Sequence, residues 1–224
     1  NIILHSQLLS FGKCIPEIAV FSLLNKIGEK GTLVVPTYVF GSDSPYDKSS
    51  TKPTQMGSVS NFVLGLEKSI RSATPVHNHA AYGAFAGDFR FTTTSSSFGP
   101  DTDFDLFCQK DFELVLLGCP FSKGATFLHH VEALAGVPYR RWVSSPKKIL
   151  CNNKIREIPF NYFDRKSTDY VENFDRLTPV LGNKLLQAKA PYGMSYKIKV
   201  RDLKNITMGL IADDPYYLVK HIDE

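Results

Sequence analysis

The sequence has no stretch near the roughly 18 consecutive apolar residues of a membrane-spanning helix, and no charged n-region, apolar h-region and cleavage site of a secretory leader. A membrane partner is therefore not expected. Cysteine is scarce: Cys14, Cys108, Cys119 and Cys151 form no C-x-x-C and show no metal-ligand spacing to a histidine. That pattern predicts no metal site, and reduced thiols in a cytoplasmic compartment. Strong charge of either sign is also missing: 26 Lys+Arg against 22 Asp+Glu leave a net charge of +4. The basic spots are short, Arg140-Arg141 with Lys147-Lys148 and a second run over 197–204, and make no stripe of the kind that binds nucleic acid. Repeats and low-complexity tracts are absent. What remains is an ordinary globular chain of 224 residues, 43% of them hydrophobic, long enough to bury a core without staples. We expect one domain over 1–224, with a motif-bearing core over 1–140 and a mixed α+β continuation over 141–224. The chain opens on Asn1 inside an apolar run, which predicts that an N-terminal segment precedes it.

Residues 2–9 read as a strand ending in a polar turn. Pro16 opens a helix, carried by Ile18, Phe21, Leu24 and Ile27 and stopped at Gly28. Residues 31–35 form a short buried strand ending at Pro36-Thr37-Tyr38. This strand–helix–strand order predicts an α/β fold with a central, mostly parallel sheet flanked by helices. Residues 40–55 form a long polar loop and 57–70 a helix; 71–78 are irregular, and 80–86 fit a strand or a short helix. A helix follows over 103–110. Residues 112–119 are the strongest buried-strand signal, followed by a helix over 125–134. Beyond Pro138, strands are expected over 148–151, 155–160, 196–200 and 206–211, with one or two helices over 170–186. Asn152-Asn153 is read as a hairpin turn.

Three segments carry chemistry. His5 to Gly12 leaves a strand for a helix start, where backbone N–H groups bind anions. On a helix over 125–134, His129 and Glu132 are i and i+3, on one face, and a carboxylate beside an imidazole fixes its tautomer. His130 points about 100° away. The third segment, Arg71 to His79, is a polar loop between two ordered pieces, and such loops often carry function.

In order, these segments resemble the aminoglycoside 3-N-acetyltransferase family. That family shows H-S-x-L-x-x-F-G, then G-T-L-V-x-P-T, M-G, R-S-x-H-P, F-G-x-x-S and T-x-L-H-x-x-E. This chain has His5-Ser6, Leu8 and Phe11-Gly12, then Gly31 to Val34 with Pro36-Thr37. Met56-Gly57, Arg71-Ser72 with Pro75, Phe98-Gly99, and Thr126, Leu128, His129 and Glu132 follow. It departs at Thr74, which replaces the histidine of R-S-x-H-P. The phosphate-binding signature of the GNAT acetyltransferase fold is not found, so that fold is not expected.

The resemblance implies acetyl transfer from acetyl-CoA to an amine of an amino sugar. It implies His129 as general base, oriented by Glu132, with the coenzyme held by Ser6, Ser10, Phe11, Gly12, Lys13, Thr37, Arg71 and Ser72. The acceptor side falls to Thr74, His77, His79 and Phe98. Cys14 stands at the Pro16 helix start, where a thiolate is favoured; a covalent acetyl-Cys14 route ranks below direct transfer. The basic balance favours an amino sugar on a nucleotide diphosphate, as in polysaccharide synthesis, over an aminoglycoside antibiotic, which is a polycation. The alternatives are the antibiotic itself as acceptor, and a non-catalytic sugar- or CoA-binding module; homo-oligomerisation is left open.

Overall fold

The computed structural model describes residues 1–223. Strand β1 (Ile2–Ser6) passes through a tight turn into helix α1 (Pro16–Ile27) and strand β2 (Thr32–Pro36). A long loop leads to α2 (Ser58–Leu64), β3 (Ile70–Arg71) and β4 (His79–Gly83). Then come α3 (Asp103–Gln109), β5 (Glu113–Leu117), the one-turn α4 (Phe121–Gly124) and α5 (Phe127–Ala135). The second half runs β6 (Arg140–Ser144), β7 (Lys147–Cys151), β8 (Lys154–Ile158), β9 (Asn161–Arg165), β10 (Tyr170–Glu172) and α6 (Leu177–Val180). It closes with β11 (Leu186–Ala190), β12 (Gly193–Lys199), α7 (Val200–Asp213) and β13 (Val219–His221). No helix among the described residues is long and apolar enough to cross a membrane.

Seven strands form the main sheet in the order β11-β12-β5-β1-β2-β4-β3. Only β5–β1 and β1–β2 pair in parallel; the other four pairings are antiparallel. The expected mostly parallel sheet is thus corrected to a parallel centre with antiparallel wings. The reason lies in connection length. β1 to β2 has a helical crossover, whereas β3 to β4 and β11 to β12 are joined too tightly for a parallel return.

Alternation sorts the central strands between two cores. Ile2, Leu4, Leu33 and Val35 face α1 and α2, meeting Val20, Val59 and Val63. Ile3, Val34, Leu114 and Leu116 face the other way, onto Phe104 of α3, Phe127 of α5 and Leu203 of α7. Residues 206–211, expected as a strand, are the middle of α7, whose buried Leu203, Thr207 and Ile211 recur every four residues. The helix expected over 57–70 stops at Leu64, before Gly65. Over 170–186, α6 is one turn long and β10 pairs with β13. Asn152 and Asn153 do turn the β7–β8 hairpin, both at positive φ (51° and 58°).

The exits of β1 and β5 press together. Gly118 sits at φ 64°, and a Cβ there would lie 2.7 Å from the Ser10 Cβ and 2.9 Å from the Gln7 carbonyl oxygen. Only glycine fits.

Candidate active site

Strands β5, β1 and β2 point their carboxyl ends to one edge of the sheet, where open α/β sheets bind ligands. Ring contacts lead outward from that edge. Tyr38, just after β2, meets His77 at 5.0 Å between ring centroids. His77 meets Phe98 at 4.8 Å, and Phe98 meets His129 at 6.0 Å. His129 and His77 open onto a cleft of about 250 Å³, whose wall includes Ser97, Arg140, Tyr162 and Glu172.

His129 lies in the first turn of α5, with Glu132 one turn on. Glu132 is fully buried, and its Oε2 accepts from His129 Nδ1 at 2.7 Å. Its Oε1 accepts from the Tyr139 hydroxyl at 2.8 Å. Arg140 Nε lies 2.9 Å from Oε2 as an ion pair, without an aligned hydrogen bond. With Nδ1–H donating to the carboxylate, the other ring nitrogen, Nε2, is left as an acceptor. Burial and the adjacent Glu132 charge raise the Tyr139 hydroxyl well above its ordinary value, so it stays a donor. Arg140 Nη2 also reaches Glu172 Oε1 at 3.0 Å, and Arg165 pairs with the same oxygen. Burial is the largest single influence and works to raise the Glu172 carboxyl, but the Arg165 hydrogen bond and charge, a backbone hydrogen bond and the nearby His129 together hold the group below the usual carboxylate range. Burial pushes the His77 imidazole down to about 3, helped by positive charge at His129, His79 and Arg140. It is a neutral ring, with Nδ1 at 2.7 Å from Ser97 Oγ.

Several expected ligand contacts are corrected, because the side chains are committed inside the protein. Arg71 is buried and donates to Asn78 Oδ1 at 2.8 Å, to the Thr37 carbonyl at 2.7 Å and to the Thr51 carbonyl. It clamps the 37–54 loop and has no face for a phosphate. Thr37 is buried against Asn78. Ser72 and His79 both bond Asp103 Oδ2, at 2.6 and 2.8 Å, as a buried triad. Thr74 is tied to the Thr93 carbonyl. Ser10 bonds the Gly118 carbonyl at 2.7 Å. Ser6, Gly12 and Cys14 line a different cleft of about 390 Å³, with Gly57 and Ser58. Phe11 packs against Gly118, and Lys13 is exposed. The structure does not bring Cys14 to His129. His130 is a core residue: Nδ1 accepts from the Gly99 amide at 3.2 Å, and burial lowers the ring to about 4.

Sequence reasoning missed Tyr139, Glu172, Ser97 and Asp103, and read Arg140 only as part of a short basic spot. The one local signal was Tyr139-Arg140 just past the helix end, close enough to fold back on Glu132.

The profile of the family described as aminoglycoside 3-N-acetyltransferase matches residues 3–208. Aminoglycoside N(3)-acetyltransferase VII of Streptomyces paromomycinus is 25% identical over 80% of this chain and 69% of its own length. Aminoglycoside N(3)-acetyltransferase IX of Micromonospora chalcea is 26% identical over 68% of this chain and 62% of its own length. The chain thus spans about two thirds of these curated relatives. Among solved structures, AAC-IIIb as a binary complex with CoASH superposes with a TM-score of 0.82 at 16% identity, covering 95% of this chain and 89% of that one. The motifs in order, the paired His129 and Glu132 and a match running almost end to end agree: the chain belongs to the aminoglycoside 3-N-acetyltransferase family.

Proposed function

We propose that the protein moves the acetyl group of acetyl-CoA to an amine of an aminoglycoside, with His129 as general base. The observation that carries this reading is the His129–Glu132 pair, half-open to a cleft on one side and held by buried donors on the other. A sugar ammonium is not a nucleophile and must lose a proton. That first proton goes to solvent. His129 Nε2 takes a second from the amine as its nitrogen attacks the thioester carbonyl; the C–S bond then breaks, and the imidazolium returns this proton to the thiolate, leaving a neutral amide and the coenzyme thiol. Such help is worth roughly 10²–10⁴ in rate. The structural relative named for its CoASH complex supports acetyl-CoA as donor.

The acceptor is revised from the sequence expectation. The net charge of +4 belongs to the whole chain; the cleft itself sets Asp164 and Glu172 against Arg140 and Arg165, with Glu132 behind, so the basic balance of the chain does not carry over to the site. The curated relatives are aminoglycoside N(3)-acetyltransferases, so a nucleotide-linked sugar loses its support.

Thiol release from acetyl-CoA is the test, with a deoxystreptamine antibiotic and a nucleotide-linked amino sugar compared as acceptors. We expect turnover with the antibiotic, and a loss of two or more decades in kcat for His129→Gln with the fold intact. Equal activity of wild type and His129→Gln overturns the mechanism; preference for the nucleotide sugar overturns the acceptor.

A further inference from the structure

Glu132 has three basic or donating neighbours where a simple His–Glu pair needs one. His129 and Tyr139 make its hydrogen bonds. Arg140 adds a charge at 2.9 Å from the very oxygen that holds His129, without an aligned hydrogen bond. Arg140 is itself buried, and its other end is fixed on Glu172.

We propose that Arg140 is a positioning residue of this pair, whose charge offsets that of Glu132 and so sets where the acid limb of the activity profile falls. The proposal rests on the acetyltransfer reading above. A carboxylate alone behind an imidazole stabilises the imidazolium; a guanidinium on the same carboxylate opposes that. The groups facing His129 are Glu132 from its own helix, Arg140 from β6, His77 from the 72–78 segment, Asp164 and Arg165 from β9, and Glu172 from β10. Phe98 and Phe174 supply apolar walls. Arg140 and Arg165 are the permanent cations of this set. Arg165 is held on Glu172, which leaves Arg140 as the one in contact with Glu132. His77 does not blur the readout, since burial keeps it neutral through the range of interest.

The experiment is the pH profile of kcat/KM in full-length variants, with acetyl-CoA and a deoxystreptamine antibiotic. Arg140→Gln is expected to raise the midpoint of the acid limb by about one pH unit or more. Arg140→Lys keeps the charge and is expected to return the midpoint close to that of wild type. Glu172→Gln removes an anion near His129 and leaves Arg140 to Glu132 alone; its midpoint is expected to fall. A merely structural role for Arg140 lowers yield or Tm but leaves the midpoint in place. Unmoved midpoints, or shifts of opposite sign, overturn the proposal. Should Arg140→Gln fail to fold, the neutral Arg140→Met is measured in its place, with the same rise expected and an unmoved midpoint overturning the proposal. A wild type inactive on every amino sugar overturns the function; an active wild type with coincident profiles overturns only the role of Arg140.

Discussion

Arg71 illustrates how a cation of the right motif can serve the scaffold instead of a ligand. Its guanidinium bonds the Thr37 and Thr51 carbonyls and the Asn78 side chain, and lies 5.2 Å over the Tyr46 ring. It thereby joins the exit of β2 to the long loop and to the segment that presents His77. Replacing it by Met leaves those acceptors buried and unpaired, a loss expected to be at least about 2 kcal/mol. In a chain of this size that is a fall of roughly 4–8 °C in Tm, measured by scanning calorimetry. The same change is expected to leave KM for acetyl-CoA within about twofold; a large rise in that KM, with Tm unchanged, returns Arg71 to phosphate binding.

The β7–β8 hairpin depends on two residues held at positive φ. Asparagine tolerates that region and valine does not, at a cost of roughly 1–2 kcal/mol. Asn153→Val is therefore expected to lower the denaturation midpoint, and Asn153→Gly to preserve it; equal midpoints contradict the turn assignment. This hairpin was legible because its cause is local: a dipeptide between alternating strands. The β1–α1–β2 unit was legible for the same reason. The strand expected over 206–211 failed because a short apolar run fits either periodicity, and only packing of Leu203, Thr207 and Ile211 beneath α5 decides it. The His129–Glu132 pair spans one helical turn and could be read directly. The contact of Arg140 with Glu172 spans 32 residues, and that of Ser72 with Asp103 spans 31, so no local pattern announces either. Arg71 and Ser72 matched a motif without the motif saying which way they face.

Across the whole molecule, the core imidazoles tie stability to pH. His130 is fully buried and its ring is lowered to about 4, against 6.5 when unfolded. Below pH 6.5 the unfolded chain takes up a proton there that the folded chain refuses. Stability is therefore complete above that pH and falls as the pH drops toward 4, by roughly 1 kcal/mol per pH unit for this residue. His77 adds to the same slope through its own burial. Urea denaturation at pH 7 and pH 5 is expected to show the loss. His130→Phe is expected to reduce it by that residue's share while His5 and His77, both lowered by burial, keep theirs, and an unchanged slope in that variant removes His130 as a contributor.

The seam at Gly118 bears on how mutational tolerance is interpreted. Any side chain at that position collides with the neighbouring strand exit, so the fold fails before a substrate is met. Under the acetyl transfer proposed above, a saturation screen scored on activity would mark positions 118 and 129 as equally intolerant, the first for want of space and the second for want of the proposed base. Scoring soluble abundance alongside activity separates them, because a substituted His129 still accumulates as folded protein and a substituted Gly118 does not.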